Sequence, residues 1–219
     1  MEALVLVDLQ NDFLPGGALA VRGGNEMIPI ANAVQGCFDI VAATADWHPP
    51  GHGSFASAHP GGRVGELIEL AGLPQMLWPD HCVQGTAGAE FAPGLDTARI
   101  AKIIHKGMDP GIDSYSGFFD NGRRHATGLE DYLRSRGVDA IYVMGLATDY
   151  CVKFTALDGV ALGFSTYLIE DGCRGVEVSS GDVDRSVAEM REAGVHIISS
   201  GQLGASGRAA KGVLGEASR

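Results

Sequence analysis

Four side-chain types that do chemistry recur at the ends of apolar runs in this 219-residue chain. Asp8 closes the run Leu4–Val7. Asp46 closes Ile40–Ala45 and is followed by Trp47 and His48. His105 and Lys106 follow Ile100–Ile104. After Ala140–Met144 comes Gly145, and then the turn LATDYC, in which Cys151 opens an expected helix. Runs of this length and apolar character read as strands buried on both faces, the pattern of a parallel sheet. In an open α/β sheet, ligands bind beyond the carboxyl ends of the strands. A carboxylate, a carboxylate–histidine pair, a lysine and a cysteine on one such edge make a candidate site.

The chemistry implied is nucleophilic. A thiol in the first turn of a helix meets free backbone N–H groups and the positive end of the dipole, which should lower its pKa. The same N–H groups can hold an oxyanion. Such a thiol needs a proton acceptor. Asp8 can take that role, with Lys106 balancing its charge. Asp46 and His48, at i and i+2 on an extended segment, face the same way and can share a divalent cation. A third ligand has to come from the long connection between Asp46 and about Asp96, where His52, His59 and His81 all stand; spacing alone does not choose among them. Cys37 reads as a small buried hydrophobe behind a helix, Cys82 as a packing neighbour of His81, and Cys173 as a second thiol at a carboxyl edge.

The elements that must position these groups follow from periodicity. Thr166–Ile169 and Val195–Ile198 complete a set of six strands. Met27, Ile30, Ala31 and Val34 share one helical face. Thr127 and Glu130 make a T-x-x-E capping box before Leu129 and Leu133, with Gly137 as the stop. Val183, Val187 and Met190 form another stripe, ended by Gly194. Val152–Leu162 is apolar almost all round and reads as a buried helix. Within the Asp46–Asp96 connection, Glu66–Leu70 reads as a short helix. The expected fold is α/β, a six-stranded parallel sheet flanked by helices on both faces, in one domain over residues 1–200. Residues 201–219 form a tail of small residues.

Composition bounds the partners. The formal net charge of −11, with no long run of Lys or Arg, disfavours nucleic acid. No stretch of 18 apolar residues is present, which excludes a membrane-spanning helix as the reading. The N-terminus lacks a basic region and cleavage site, and four cysteines without CxxC pairs suit reduced thiols. A cytoplasmic enzyme is expected, and a homo-oligomer is compatible with it. No GxGxxG follows the first strand, which argues against dinucleotide binding.

Five segments then stand out together: LVDLQNDF, DWHPPGHGSFASAH, WPDHCVQGTAG, HKGMDPGIDSYSGFFDNGRR and VMGLATDYCVKFTALD. In order and spacing the chain resembles the nicotinamidase/pyrazinamidase family of isochorismatase-like cysteine hydrolases, from Ala3 to about Ser200. The resemblance implies a triad of Asp8, Lys106 and Cys151, and a divalent metal (zinc first, iron or manganese as alternatives) on Asp46, His48 and His81. It leaves His52 and Ser54 behind that shell or as further ligands. It implies a cis peptide at Leu146–Ala147, an oxyanion site at the N–H groups of Ala147 and Cys151, and a substrate pocket of Phe13, Trp78 and Tyr115. The implied reaction is hydrolysis of nicotinamide or a related pyridine or pyrazine carboxamide, through a cysteine thioester. The alternatives are an isochorismatase or carbamoyl amidohydrolase of the same superfamily, which generally lack the DWH…H set, and a non-catalytic binding protein on the same fold.

Overall fold

A computed structural model of the chain describes residues 1–204. Six strands form one parallel sheet: β1 (Glu2–Val7), β2 (Ile40–Asp46), β5 (Lys102–Lys106), β6 (Ala140–Leu146), β7 (Ser165–Arg174) and β8 (His196–Ile198). Their order is β5-β2-β1-β6-β7-β8. Every residue of β2 and β6 is buried, which requires cover on both faces and explains their mainly apolar composition. Helix α1 (Met27–Gln35) rests on β6 and β7. Helices α3 (Lys153–Ala161) and α4 (Asp182–Glu192) pack on each other and on β6, β7 and β8, and α2 (Leu129–Ser135) leads into β6.

The chain runs outward from β1 to β2 and β5, then crosses back to place β6 on the other side of β1. The switch point therefore lies between β1 and β6, where Asp8 ends one strand and Cys151 follows the other. Register does the rest: β2 and β5 pair so that Asp46 stands opposite Lys106. The strand β5 starts two residues later than the apolar run suggests, and Lys106 is its last residue rather than lying beyond it.

Three local expectations are corrected. Glu66–Leu70 is not helical: β3 (Leu67–Leu70) pairs antiparallel with β4 (Leu73–Met76). Ala71 and Gly72 both take positive φ, 54° and 79°, which is the two-residue turn that matches strand twist; four residues before such a turn are too few for a helix. The Thr127–Glu130 capping box does not form. Gly128 is the N-cap of α2, and Thr127 Oγ1 donates to Gly117 O instead while accepting from Leu129 N. Finally, α3 buries one face, Thr155, Ala156 and Gly159, and leaves Phe154 38% exposed. Phe154 stacks on Tyr115 of the site's aromatic wall, while Leu157, Val160 and Leu162 pack half-buried at the margin of the core.

The helix stops at Gly137 and Gly194 are as expected: Val138 N donates to Leu133 O and Val195 N to Met190 O, each beyond a left-handed glycine. The tail expected from Gly201 lies outside the described residues apart from its first four. Among the described residues no helix is long and apolar enough to cross a membrane.

Candidate active site

Lys106 organises the site. Its Nζ, fully buried, lies 2.9 Å from Asp8 Oδ2 and donates to Asp46 Oδ1 (2.5 Å), Ser114 O (2.9 Å) and Cys151 Sγ (3.3 Å). Asp8, Lys106 and Cys151, predicted from three separate strand ends, are thus one cluster. Burial disfavours the ammonium, but Asp46, Asp8 and Cys151 around it outweigh that and hold its pKa well above the usual lysine value. Asp46 is also buried, yet Lys106 and then His48 hold its carboxyl well below the ordinary range.

Asp8 sits at a left-handed φ of 49°, an uncommon conformation for a non-glycine residue, and such outliers cluster at functional sites. Thr44 Oγ1 donates to its Oδ1 at 2.6 Å. No hydrogen-bond donor is aligned on its Oδ2, even though Lys106 Nζ is close enough for an ion pair. Burial raises the Asp8 pKa, with Lys106 opposing. An unfilled acceptor on a carboxylate of raised basicity, in the same cluster as the Cys151 sulfur, is suited to receive a thiol proton.

Cys151 departs from expectation in two ways. It lies in a π turn, Thr148–Val152, before α3 begins at Lys153; such turns occur frequently at functional sites. Its pKa is also not lowered. Burial pushes the thiol well up, Lys106 pulls it down, and Asp8 and Asp46 push it up again. Burial and two carboxylates thus act against the lowering expected from the turn's dipole. The Leu146–Ala147 peptide is cis, and the N–H groups of Tyr150 and Val152 both donate to Ala147 O.

The second oxygen of Asp46 faces two imidazoles. Asp46 Oδ2 is 3.7 Å from His48 Nε2 and 3.8 Å from His81 Nε2. His48 Nδ1 meets Gly107 O at 2.9 Å and His81 Nδ1 meets Pro79 O at 2.8 Å. A carbonyl can only accept, so both Nδ1 atoms carry a proton, and the neutral form of each ring is the Nδ1–H tautomer with Nε2 toward Asp46. That tautomer, fixed by outer hydrogen bonds, is the form that ligates metals. One carboxylate oxygen and two neutral imidazole nitrogens, all within 4.8 Å of one another, fit a divalent ion.

His52 and His59 have other work. His52 Nδ1 bonds Ser54 Oγ at 2.8 Å and its Nε2 meets Asp109 O at 2.8 Å; His59 Nε2 meets Gly53 O at 2.7 Å. The His52 ring packs 4.5 Å from that of His48, so His52 and Ser54 buttress the three-residue set. Cys82 and Cys173 are buried, with pKa values pushed up by burial, Cys173 to about 12. All four thiols are free.

Phe13, Trp78 and Tyr115 line one cavity with Asp46, His81, Ala147 and Cys151. Trp78 Nε1 donates to Tyr115 OH at 3.2 Å, and Phe13 meets the His81 ring edge-on at 5.6 Å. Sequence reasoning missed Tyr150, whose ring meets Trp78 edge-on, and Leu19 and Val176 in the same wall. It also missed two supports inside the LVDLQNDF segment. The Gln10 amide donates to Asp46 O and Ala89 O and accepts from Asp46 N, each at 2.8 Å. Asp12 Oδ2 accepts from Cys82 N at 2.7 Å, anchoring the residue next to His81. The available signal was two polar residues directly after a buried strand; their partners are 36 and 70 residues away.

Comparison with known proteins places the chain and its fold among close relatives. The Isochorismatase domain family matches residues 70–202. A nicotinamidase of Escherichia coli is 52% identical over 196 residues, covering 88% of this chain and 92% of the relative. A nicotinamidase–pyrazinamidase structure from Acinetobacter baumanii superposes with a TM-score of 0.89 at 48% identity, covering 92% and 97% of the two chains. The pyrazinamidase of Pyrococcus horikoshii in complex with zinc does so with a TM-score of 0.74 at 40% identity, covering 90% and 98%. A six-stranded parallel sheet, a lysine shared by two carboxylates and a cysteine, and relatives of this identity over nearly the whole chain lead to one conclusion: the chain belongs to the nicotinamidase/pyrazinamidase family of isochorismatase-like hydrolases.

Proposed function

We propose that this enzyme hydrolyses nicotinamide to nicotinate and ammonia, and accepts pyrazinamide, with Asp8, Lys106 and Cys151 as the catalytic set. The observation that carries the reading is the single Lys106 ammonium reaching Asp8, Asp46 and Cys151 at once. Cys151 Sγ attacks the carboxamide carbon while its proton passes to Asp8. Asp8 then delivers that proton to the amine, the C–N bond breaks, and ammonia leaves a thioester on Cys151. Water, deprotonated by Asp8, cleaves the thioester and regenerates the thiol. Lys106 keeps Asp8 charged between transfers. The N–H groups of Ala147 and Cys151 receive the oxyanion.

Asp46, His48 and His81 would hold a divalent ion, zinc in the first instance, which would supply Lewis-acid chemistry toward the ring nitrogen and so help position the substrate. Phe13, Trp78 and Tyr115 hold the flat ring. The reaction would return nicotinamide to NAD synthesis in the cytoplasm. Ammonia release from nicotinamide by the purified enzyme, beside metal analysis of the same preparation, tests the reading. No ammonia from the metal-loaded enzyme would sink it. Turnover of a carbamoyl substrate instead would favour the other branch of the superfamily.

A further inference from the structure

The segment after β7, residues 175–177, contributes Val176 to the cavity wall, and what holds it there is a carboxylate of the nucleophile turn. Asp149, two residues before Cys151, is buried. Its Oδ1 accepts from Val176 N at 3.0 Å and its Oδ2 from Glu177 N at 2.8 Å. Both acceptors thus point across to a different loop. Glu177 is held at φ 52°, a conformation an unrestrained glutamate rarely keeps. Gly175 lies so close to the Asp149 carboxylate and the Val183 side chain that a Cβ there would collide with Val183. Behind the segment is an open groove of about 450 Å³ lined by Arg174, Glu177 and Val183, so on that side the Asp149 bonds and the Val183 contact hold the wall. Inside it, Val176 faces the same cavity as Ala147, Tyr150 and Cys151. Val176 shares that lining with Phe13, Trp78 and Tyr115, so a displacement of the wall changes what can enter.

We infer that Val176 is a specificity-determining residue that sets the largest ring or acyl group able to reach Cys151, and that Asp149 is the positioning residue that fixes Val176 in place. The inference rests on the proposed reaction for its substrate but not for its geometry. Asn at 149 offers one acceptor oxygen and turns an NH2 toward the second backbone N–H, so the clamp loses one of its two bonds.

The test compares a small and a bulky ligand in each variant. Alkylation of Cys151 by iodoacetamide and by N-phenyl iodoacetamide is followed by mass spectrometry, and kcat/KM is measured for nicotinamide and 5-methylnicotinamide. Val176→Ala and Asp149→Asn should each raise the bulky-to-small ratio in both assays by about tenfold, the low end of what one pocket contact discriminates. Val176→Leu should lower it. A general loss of stability would depress both ligands alike and leave the ratio unmoved, and that result overturns the inference. If Asp149→Asn does not fold, Gly175→Ala, which displaces the same segment, takes its place. If the wild type releases no ammonia from nicotinamide yet the alkylation ratio moves as stated, the wall stands and the proposed function falls. If it turns over nicotinamide and neither ratio moves, the reverse holds.

Discussion

The two edges of the central sheet carry similar residue types and treat them in opposite ways. At the amino edge, Glu2, Asp39 and Asp139 gather near Cys37. The N-terminal ammonium pairs with Asp139 at 2.8 Å, but the two groups are 48% and 86% exposed, and exposed pairs of this kind contribute little. Cys37 is half-buried with no charged partner among its recorded contacts. At the carboxyl edge, Asp8, Asp46 and Lys106 are withdrawn from water around Cys151. Water solvates the first set of charges separately. The second set is held by one another with a few protein dipoles such as Thr44 Oγ1 and Ser114 O, and that mutual dependence is what makes a site.

The largest expected effect is at the sulfurs. Cys151→Ala should abolish ammonia release while leaving the circular dichroism spectrum and Tm unchanged, and Cys37→Ala should keep wild-type turnover. Wild-type rates from Cys151→Ala would erase the distinction between the edges.

The next effect concerns the shared lysine. Asp8→Asn and Lys106→Ala should each reduce kcat by about 10²-fold or more, the scale of a lost acid–base group. Combined, they should cost little more than either alone, because both act on one proton-transfer unit. Kinetic measurement of the double variant decides; multiplicative losses would mean two independent charges, as at the amino edge.

Third comes the metal set. His48→Ala, or chelation, should reduce nicotinamide turnover by at least about tenfold while sparing an activated ester that needs no ring anchor. Benzamide, without the ring nitrogen, should be poor in both states. Benzamide turnover matching that of nicotinamide would remove the anchoring role. The smallest effect is expected at Asp139→Ala, which should leave Tm and activity where they were; a measurable drop in thermal unfolding temperature would show that the exposed amino-edge pair matters after all.

Most of this site could be read in the chain before folding. Strand ends follow from apolar runs, and the rule that ligands sit beyond carboxyl ends needs only those ends, so Asp8, Asp46, Lys106 and Cys151 were legible one by one. Their grouping followed from one shared sheet edge, and the resemblance of five motifs matched it and chose His81. Local geometry was less legible where neighbours are nearly equivalent. Glu66–Leu70 suits a helix or a hairpin until Ala71 and Gly72 turn, and Thr127 can cap its own helix or bond Gly117.

Other features depended on distances between distant segments, and those the chain decides only when folded. The pairing of Asp46 with Lys106 depends on the β2–β5 register. Both His52 nitrogens are engaged, by Ser54 Oγ and by Asp109 O, the latter 57 residues away. The raised pKa of Cys151 runs against its position near a helix start, because burial beside two carboxylates acts against a local dipole. Residue type and sequence position determined which groups could react. Burial and cross-strand register determined which charges must share one ammonium, since both depend on surroundings that no single segment contains.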